Sequence, residues 1–246
     1  LGYPDARKVV RASNSTLFAS YRAKDSSRND TYQIFVSKST NNGQSWKLTN
    51  SSEAVSVQTD NFNQRVPSLF YSSKTLYVVW YGADNHSASD KNHQIFFSKS
   101  SNGGKSFSKP KNIYFVDGYY GQDTWQEHPI IYKAANRLIV VWEGKDKNNS
   151  LQQIKLSSSD DDGDSWQVPV NINPDKNRTF SRPSLLLAGG RLWMFCYSGS
   201  DNGSNNVIYS AFSTDTGRNW SKWLPLTDDS QDSRHITSVA DMNGQV

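Results

Sequence analysis

The 246-residue sequence predicts an all-β fold made of one repeated antiparallel unit, and three observations lead there. The first is a short box that occurs four times, "STNNGQSW" from Ser39, "SSNGGKSF" from Ser100, "SDDDGDSW" from Ser159 and "STDTGRNW" from Ser213, starting 61, 59 and 54 residues apart. A near-constant period of this length marks a repeat architecture. The second is the run before each box ("TYQIFVSKS", "HQIFFSKS", "QQIKLSSS", "NVIYSAFS"), rich in the β-branched and aromatic residues that favour strands. The third is composition: 13% of residues are aromatic although only 35% are hydrophobic, which suits thin sheets packed face to face through large rings. Helical periodicity is not evident in any segment.

Each box reads as a turn. Ser and Asp or Asn side chains accept hydrogen bonds from nearby backbone amides, and Gly43, Gly104, Gly163 and Gly217 supply the positive φ a tight connection needs. The terminal Trp46, Phe107, Trp166 or Trp220 then anchors the turn by packing. The four aspartates of the third box suggest a metal loop, but Asp160, Asp162 and Asp164 correspond to Thr40, Asn42 and Gln44 in the first box, where no such ligand set survives. The box should therefore join the two outer strands of each unit.

A second repeated stretch precedes boxes two to four: "RVPSLFYSSKTLYVVW", "EHPIIYKAANRLIVVW" and "RPSLLLAGGRLWMFCY". From Pro67 to Trp80, Pro129 to Trp142 and Pro183 to Cys196 the interval is the same, so these are equivalent hairpins, each with a Pro-initiated strand, a polar turn and an apolar strand. "ARKVVRASNSTLFASY" is the N-terminal copy, and "RHITSVADMNGQV" matches only its first strand.

The boxes resemble the Asp-box, or bacterial neuraminidase repeat, of the sialidase superfamily, and the resemblance extends over nearly the whole chain. It implies a sialidase-like β-propeller of four-stranded antiparallel blades, with four blades and the first strand of a fifth inside one domain over residues 1–246. Propellers close on themselves to remove open sheet edges. Sialidase-like rings have six blades, so the chain is expected to be incomplete at its C-terminus; a five-bladed ring closed by the N-terminal strand is the alternative.

Residues at the starts of the innermost strands can point into the mouth of a propeller's central channel. Those starts carry Arg7, Arg65, Glu127 with His128, Arg182, and Arg234 with His235. Several guanidiniums around one axis would make an anion-binding floor; as ion pairs between blades they would be structural. The resemblance implies three arginines holding a sugar carboxylate, the first in a motif like "RVP" at Arg65, together with an acid on the loop after the first inner hairpin and a tyrosine nucleophile activated by a glutamate. Asp25 and Asp30 in blade one, or Asp84 and Asp90 in blade two, stand where that acid is expected. Glu127 is the candidate base-like carboxylate, and no tyrosine is assigned. Tyr119, Tyr120 and Trp125 in "YFVDGYYGQDTWQEH" could stack on a sugar ring or simply cover a blade.

The net charge of +4 comes from residues spread along the chain, without the basic cluster that nucleic acid or an anionic membrane requires. No apolar run approaches the roughly 20 residues of a membrane-spanning helix. Cys196 is the single cysteine, set in the apolar run "RLWMFCYS", which predicts a buried, inert thiol. Eight Asn-x-Ser/Thr triplets, among them Asn14, Asn29, Asn177 and Asn219, are compatible with an extracellular or cell-surface setting. The expected function is a sialidase-like exo-glycosidase acting on a terminal acidic sugar, with no cofactor and no metal. The alternative is a non-catalytic propeller that binds a glycan or a surface partner.

Overall fold

The computed structural model describes residues 8–46, 55–56, 61–84, 92–113, 125–146, 149–173, 175–199, 205–228, 230, 232–234, 236 and 238. They form four antiparallel four-stranded sheets, each built from consecutive strands. Blade one comprises β1 (Val9–Arg11), β2 (Leu17–Asp25), β3 (Thr31–Ser39) and β4 (Val55–Ser56). Blade two comprises β5 (Gln64–Ser72), β6 (Thr75–Gly82), β7 (Gln94–Ser100) and β8 (Lys111–Asn112). Blade three comprises β9 (Trp125–Ala134), β10 (Arg137–Asp146), β11 (Asn149–Ser159) and β12 (Val170–Asn171), and blade four comprises β13 (Phe180–Ala188), β14 (Arg191–Ser198), β15 (Ile208–Ser213) and β16 (Leu224–Pro225). One 3-10 turn, Ser26–Arg28, interrupts the strands, and no α-helix occurs among the described residues.

Each box joins the third and fourth strands of its blade, as expected. The serine hydroxyl accepts from the glycine amide (Gly43, Gly104, Gly163 and Gly217 N at 2.8–3.0 Å) and donates to the Asn or Asp two residues on. That side chain accepts in turn from the amide four residues further along, Ser45, Ser106, Ser165 or Asn219. The four glycines have φ between +80° and +89°. The box aromatics are half-buried rather than fully enclosed. Phe107, Trp166 and Trp220 each lie against the core shared with the preceding blade, where the ring closes one end of the inter-blade seam.

Strand alternation explains why the blades stack. Along β6, Leu76, Val78 and Trp80 face blade one, while Tyr77, Val79 and Tyr81 face blade three. Along β10, Leu138, Val140 and Trp142 face blade two, and Ile139 and Val141 face blade four. A strand buried on both sides reads as a continuous apolar run, which is why "TLYVVW" and "RLIVVW" carry no polar alternation. Burying each such side chain contributes about 1.5–3 kcal/mol.

Glutamines finish the seams. Gln64 Oε1 accepts from the buried Trp80 indole at 3.0 Å, and Gln126 Oε1 accepts from Trp142 at 2.6 Å. Gln33 and Gln153 each donate from the third strand to a carbonyl leading into the next blade, Phe62 at 2.9 Å and Arg178 at 3.0 Å. Beyond blade four, Ile236 packs on the cluster of Leu186, Ala188 and Phe195, and the Ser238 and Ser184 hydroxyls lie 2.6 Å apart. Cys196 is buried, and burial pushes its thiol well above the usual range.

Candidate functional site

The inner strands β5, β9 and β13 start at the end of the blades opposite the boxes. In blade two, for example, Leu76 pairs with Ser100 at the box end and Gly82 pairs with Gln94 at the other. The pairing of all three inner strands breaks register at the same height, between Arg65 and Ser68, between Glu127 and Ile130 (opposite Glu143 and Val141 of β10), and between Ser181 and Ser184. The residue before each proline there has a left-handed backbone, Val66 at φ 40°, His128 at 52° and Arg182 at 53°. The left-handed region costs a non-glycine residue about 1–3 kcal/mol, and residues before proline ordinarily avoid compact conformations. The bulge re-aims the neighbouring side chains at the mouth end of every inner strand.

In blade three this geometry assembles a buried imidazole–carboxylate chain. His93 Nδ1 donates to Glu127 Oε1 at 2.6 Å, and His128 Nδ1 donates to Glu143 Oε1 at 2.6 Å. An ionised carboxylate can only accept, so opposite a charged glutamate each Nδ1 is the donor. Glu127 Oε2 lies 3.7 Å from His128 Nδ1, and Glu143 Oε2 accepts from the Arg182 backbone amide at 2.6 Å. The Tyr81 ring is 5.0 Å from that of His93 and 5.4 Å from that of His128. The chain thus runs from blade two through blade three to blade four. Relative exposure of its four titratable side chains is 1–8% by residue, so water screens them little. Glu127, His128 and Glu143 each place one donor atom within 4.8 Å of the other two.

The sequence candidates divide accordingly. Glu127 and His128 are brought together with Glu143, and Arg182, itself buried, joins them through its backbone amide. Arg65 is half-buried on β5 and holds, two residues before proline, the place that Glu127 holds in blade three. Arg182 stands one residue later in that frame, immediately before Pro183, so the arginines of blades two and four are not at matched positions. Arg234 pairs with Asp232 through both Nε and a terminal nitrogen, and the guanidinium holds the Asp232 carboxyl down at about 2. Asp25 caps the 3-10 turn, accepting from Ser27 N at 3.0 Å and Ser27 Oγ at 2.6 Å. Those bonds, with Arg28 at 3.2 Å, hold its carboxyl below the usual range. Asp30 is exposed with φ 56°, and Asp84 is half-buried. Trp125 opens β9 half-exposed, with Lys145 Nζ 5.9 Å from its ring centroid. Arg7, Asp90, Tyr119, Tyr120 and His235 lie outside the described residues.

Glu143, His93 and Tyr81 were not among the sequence candidates. The repeat held the signal: counted from the box-end leucine of the second strand, Glu143 occupies the place of Tyr81 in blade two and Tyr197 in blade four. Glu143 is a carboxylate placed directly after the apolar run "LIVVW", which is the anomaly that marks it.

The acids of the third box have structural partners. Asp160 pairs with Arg137 at 2.8 Å, Asp162 accepts from Tyr77 at 2.5 Å and Lys133 at 2.7 Å, and Asp164 meets Lys99 at 3.2 Å. Asp161 is the turn acceptor, and its hydrogen bonds from Ser165 and Ser159 hold its carboxyl well below the usual range.

No family model and no curated protein matches the sequence. Solved structures do match in shape. A protein of unknown function from Dyadobacter fermentans aligns with TM-score 0.64 at 18% identity over 89% of this chain and 67% of its own. The Trypanosoma rangeli sialidase, in complex with the inhibitor DANA, aligns with TM-score 0.60 at 14% identity over 96% of this chain and 42% of its own. The α-L-arabinofuranosidase Arb93A of Fusarium graminearum aligns with TM-score 0.65 at 15% identity over 90% and 66%. The chain thus spans about two fifths to two thirds of the length of these proteins. At such identities the likeness is one of fold: four face-packed antiparallel blades make this chain a β-propeller like those of sialidases and arabinofuranosidases.

Proposed function

We propose that the chain is a sialidase-like exo-glycosidase that acts on a terminal acidic sugar at the inner-strand mouth of blades two to four. One observation carries the reading: a buried cluster of Glu127 and His128 from the start of β9 and Glu143 from β10, tied to blade four by the Arg182 amide, lies at the end of blade three opposite the boxes. Arg182 and Arg65 are assigned to the sugar carboxylate, which a planar guanidinium binds bidentately. Glu127, oriented by His93, is assigned the base-like role, and a loop acid, Asp25 or Asp30, is assigned to the leaving oxygen. An extracellular or cell-surface setting fits exposed sequon asparagines such as Asn14, Asn29 and Asn177.

A second reading, a propeller that binds a glycan without cleaving it, is favoured by one specific observation. Asp25 is tied into its own turn and held below the usual carboxylate range, so it carries no proton to give at neutral pH.

Hydrolysis of a fluorogenic α-sialoside and of a neutral glycoside tests the assignment. Arg182→Ala should lower kcat/KM on the acidic substrate about 10- to 100-fold, because losing a charged hydrogen-bond partner costs about 1.5–3 kcal/mol. The neutral substrate should be nearly unaffected. Equal losses on both would remove the carboxylate site, and binding without turnover would select the second reading.

A further inference from the structure

Glu127 and Glu143 are direct cross-strand partners in the β9–β10 ladder, and both are buried. Like charges opposite one another destabilise a sheet, and burial sharpens the cost, so this pair needs a proton or a positive charge between its members. His128 presents Nδ1 there, 2.6 Å from Glu143 Oε1 and 3.7 Å from Glu127 Oε2. The remaining oxygen of each carboxylate is held from outside the trio, Glu127 Oε1 by His93 and Glu143 Oε2 by the Arg182 amide. Outer donors that orient carboxylates while inner donors converge are the arrangement of a metal centre.

The repeat supplies an internal control. In the same structural frame, blade two has Arg65, Val66 and Tyr81 at these positions, and blade four has Ser181, Arg182 and Tyr197. Those blades form the same four-stranded sheet without any carboxylate or imidazole there. Blade architecture alone therefore does not explain the trio.

We infer that Glu127, His128 and Glu143 form a site for one divalent cation of the Zn2+ class. An imidazole nitrogen beside two carboxylates suits a borderline ion, whereas Ca2+ and Mg2+ prefer all-oxygen sets. Ligands about 2.1 Å from a tetrahedral ion lie about 3.4 Å from one another. The two separations from His128 Nδ1, 2.6 and 3.7 Å, bracket that value and all three ligand atoms lie within 4.8 Å of one another, so an ion enters by local adjustment of these side chains and displaces the Nδ1 proton. Two carboxylates neutralise the charge of the ion, which removes the repulsion that the bare pair carries.

Isothermal titration of the 246-residue chain with Zn2+ at neutral pH tests the site, alongside Glu143→Gln and His128→Gln. The unaltered chain should take up one ion, each variant should bind it at least about 100-fold more weakly, more than changing an outer-shell partner typically costs, and affinity should fall as pH is lowered because binding releases a proton. Circular dichroism checks that the variants fold. Should one fail to fold, the visible spectrum of the Co2+-loaded unaltered chain decides, with the intense bands of a four-coordinate ion expected. No uptake at millimolar Zn2+, a six-coordinate Co2+ spectrum, or equal uptake by a folded Glu143→Gln variant would overturn the inference and leave the cluster as a buried ion-pair lock. The two readings share Glu127, which does not act as a base while it ligates an ion, but they fail separately: a chain that binds Zn2+ and cleaves no glycoside leaves the metal site standing, and one that cleaves without taking up Zn2+ leaves the sugar reading standing.

Discussion

At the scale of single residues, Asp161 separates turn chemistry from catalysis. Its oxygens accept from Ser165 N at 2.8 Å, Ser165 Oγ at 2.5 Å and Ser159 Oγ at 2.7 Å, and boxes one and two use Asn41 and Asn102 for the same task. Asp161→Asn should therefore melt close to the parent at neutral pH, whereas Asp161→Ala should melt distinctly lower. Asp161 and Asp215 both have folded-state pKa values below the unfolded one, with Asp215 at about 2. Their contribution is present in full above about pH 4 and is lost as pH falls through the folded values. Acid titration of the melting midpoint should show the loss, and the double Asn variant should flatten it. Gly163 gives a second contrast: its φ is +89°, and a Cβ there would meet the Phe97 ring at 2.4 Å. Gly163→Ala should cost about 2–4 kcal/mol in urea unfolding, combining a left-handed alanine with overpacking. At Gly103 the nearest obstacle is the flexible Lys38 Nζ at 3.7 Å, so Gly103→Ala should cost only about 1–2 kcal/mol.

At the scale of strands and blades, one close joint not visible in the sequence pattern is the Gln–Trp pair. Gln126 occupies the space that a side chain at Gly144 would need, with a Cβ there only 1.9 Å from Gln126 Oε1, and it satisfies the Trp142 indole. Gln126→Leu strands that buried N–H and should destabilise by about 1–3 kcal/mol; a loss well below this in urea melts would show that the indole finds another acceptor. The boxes and hairpins were legible because turn chemistry is local: Ser159, Asp161, Gly163 and Trp166 lie within one short stretch and recur. The candidate cluster is only half legible in the sequence. Glu127 and His128 stood out beside Pro129, but Glu143 is 16 residues away in sequence and becomes a neighbour only through the bulge that sets the β9–β10 register. His93 comes from another blade altogether. Linear spacing carries no record of such contacts until the repeats are superimposed.

At the scale of the whole molecule, the two ends of the blades differ in what their charges do. At the box end, Tyr77, Lys133 and Asp162 knit blade two to blade three, and Lys99 and Lys111 reach across to Asp164. These groups are partly exposed and satisfied by one another, which is how a scaffold uses charge. At the mouth end, the carboxylates and imidazoles are buried and concentrated in blade three, and His128 among them has a left-handed backbone, a form of strain that gathers at functional sites. On the proposed function this mouth, and no other part of the propeller, receives the sugar, and a crystal structure of the chain soaked with a terminal acidic sugar decides it. The sugar is expected at the inner-strand starts, with its carboxylate on the Arg182 guanidinium and its ring within reach of Glu127; a sugar bound at the box end, or on the outer strands with the mouth empty, would rule the proposed site out.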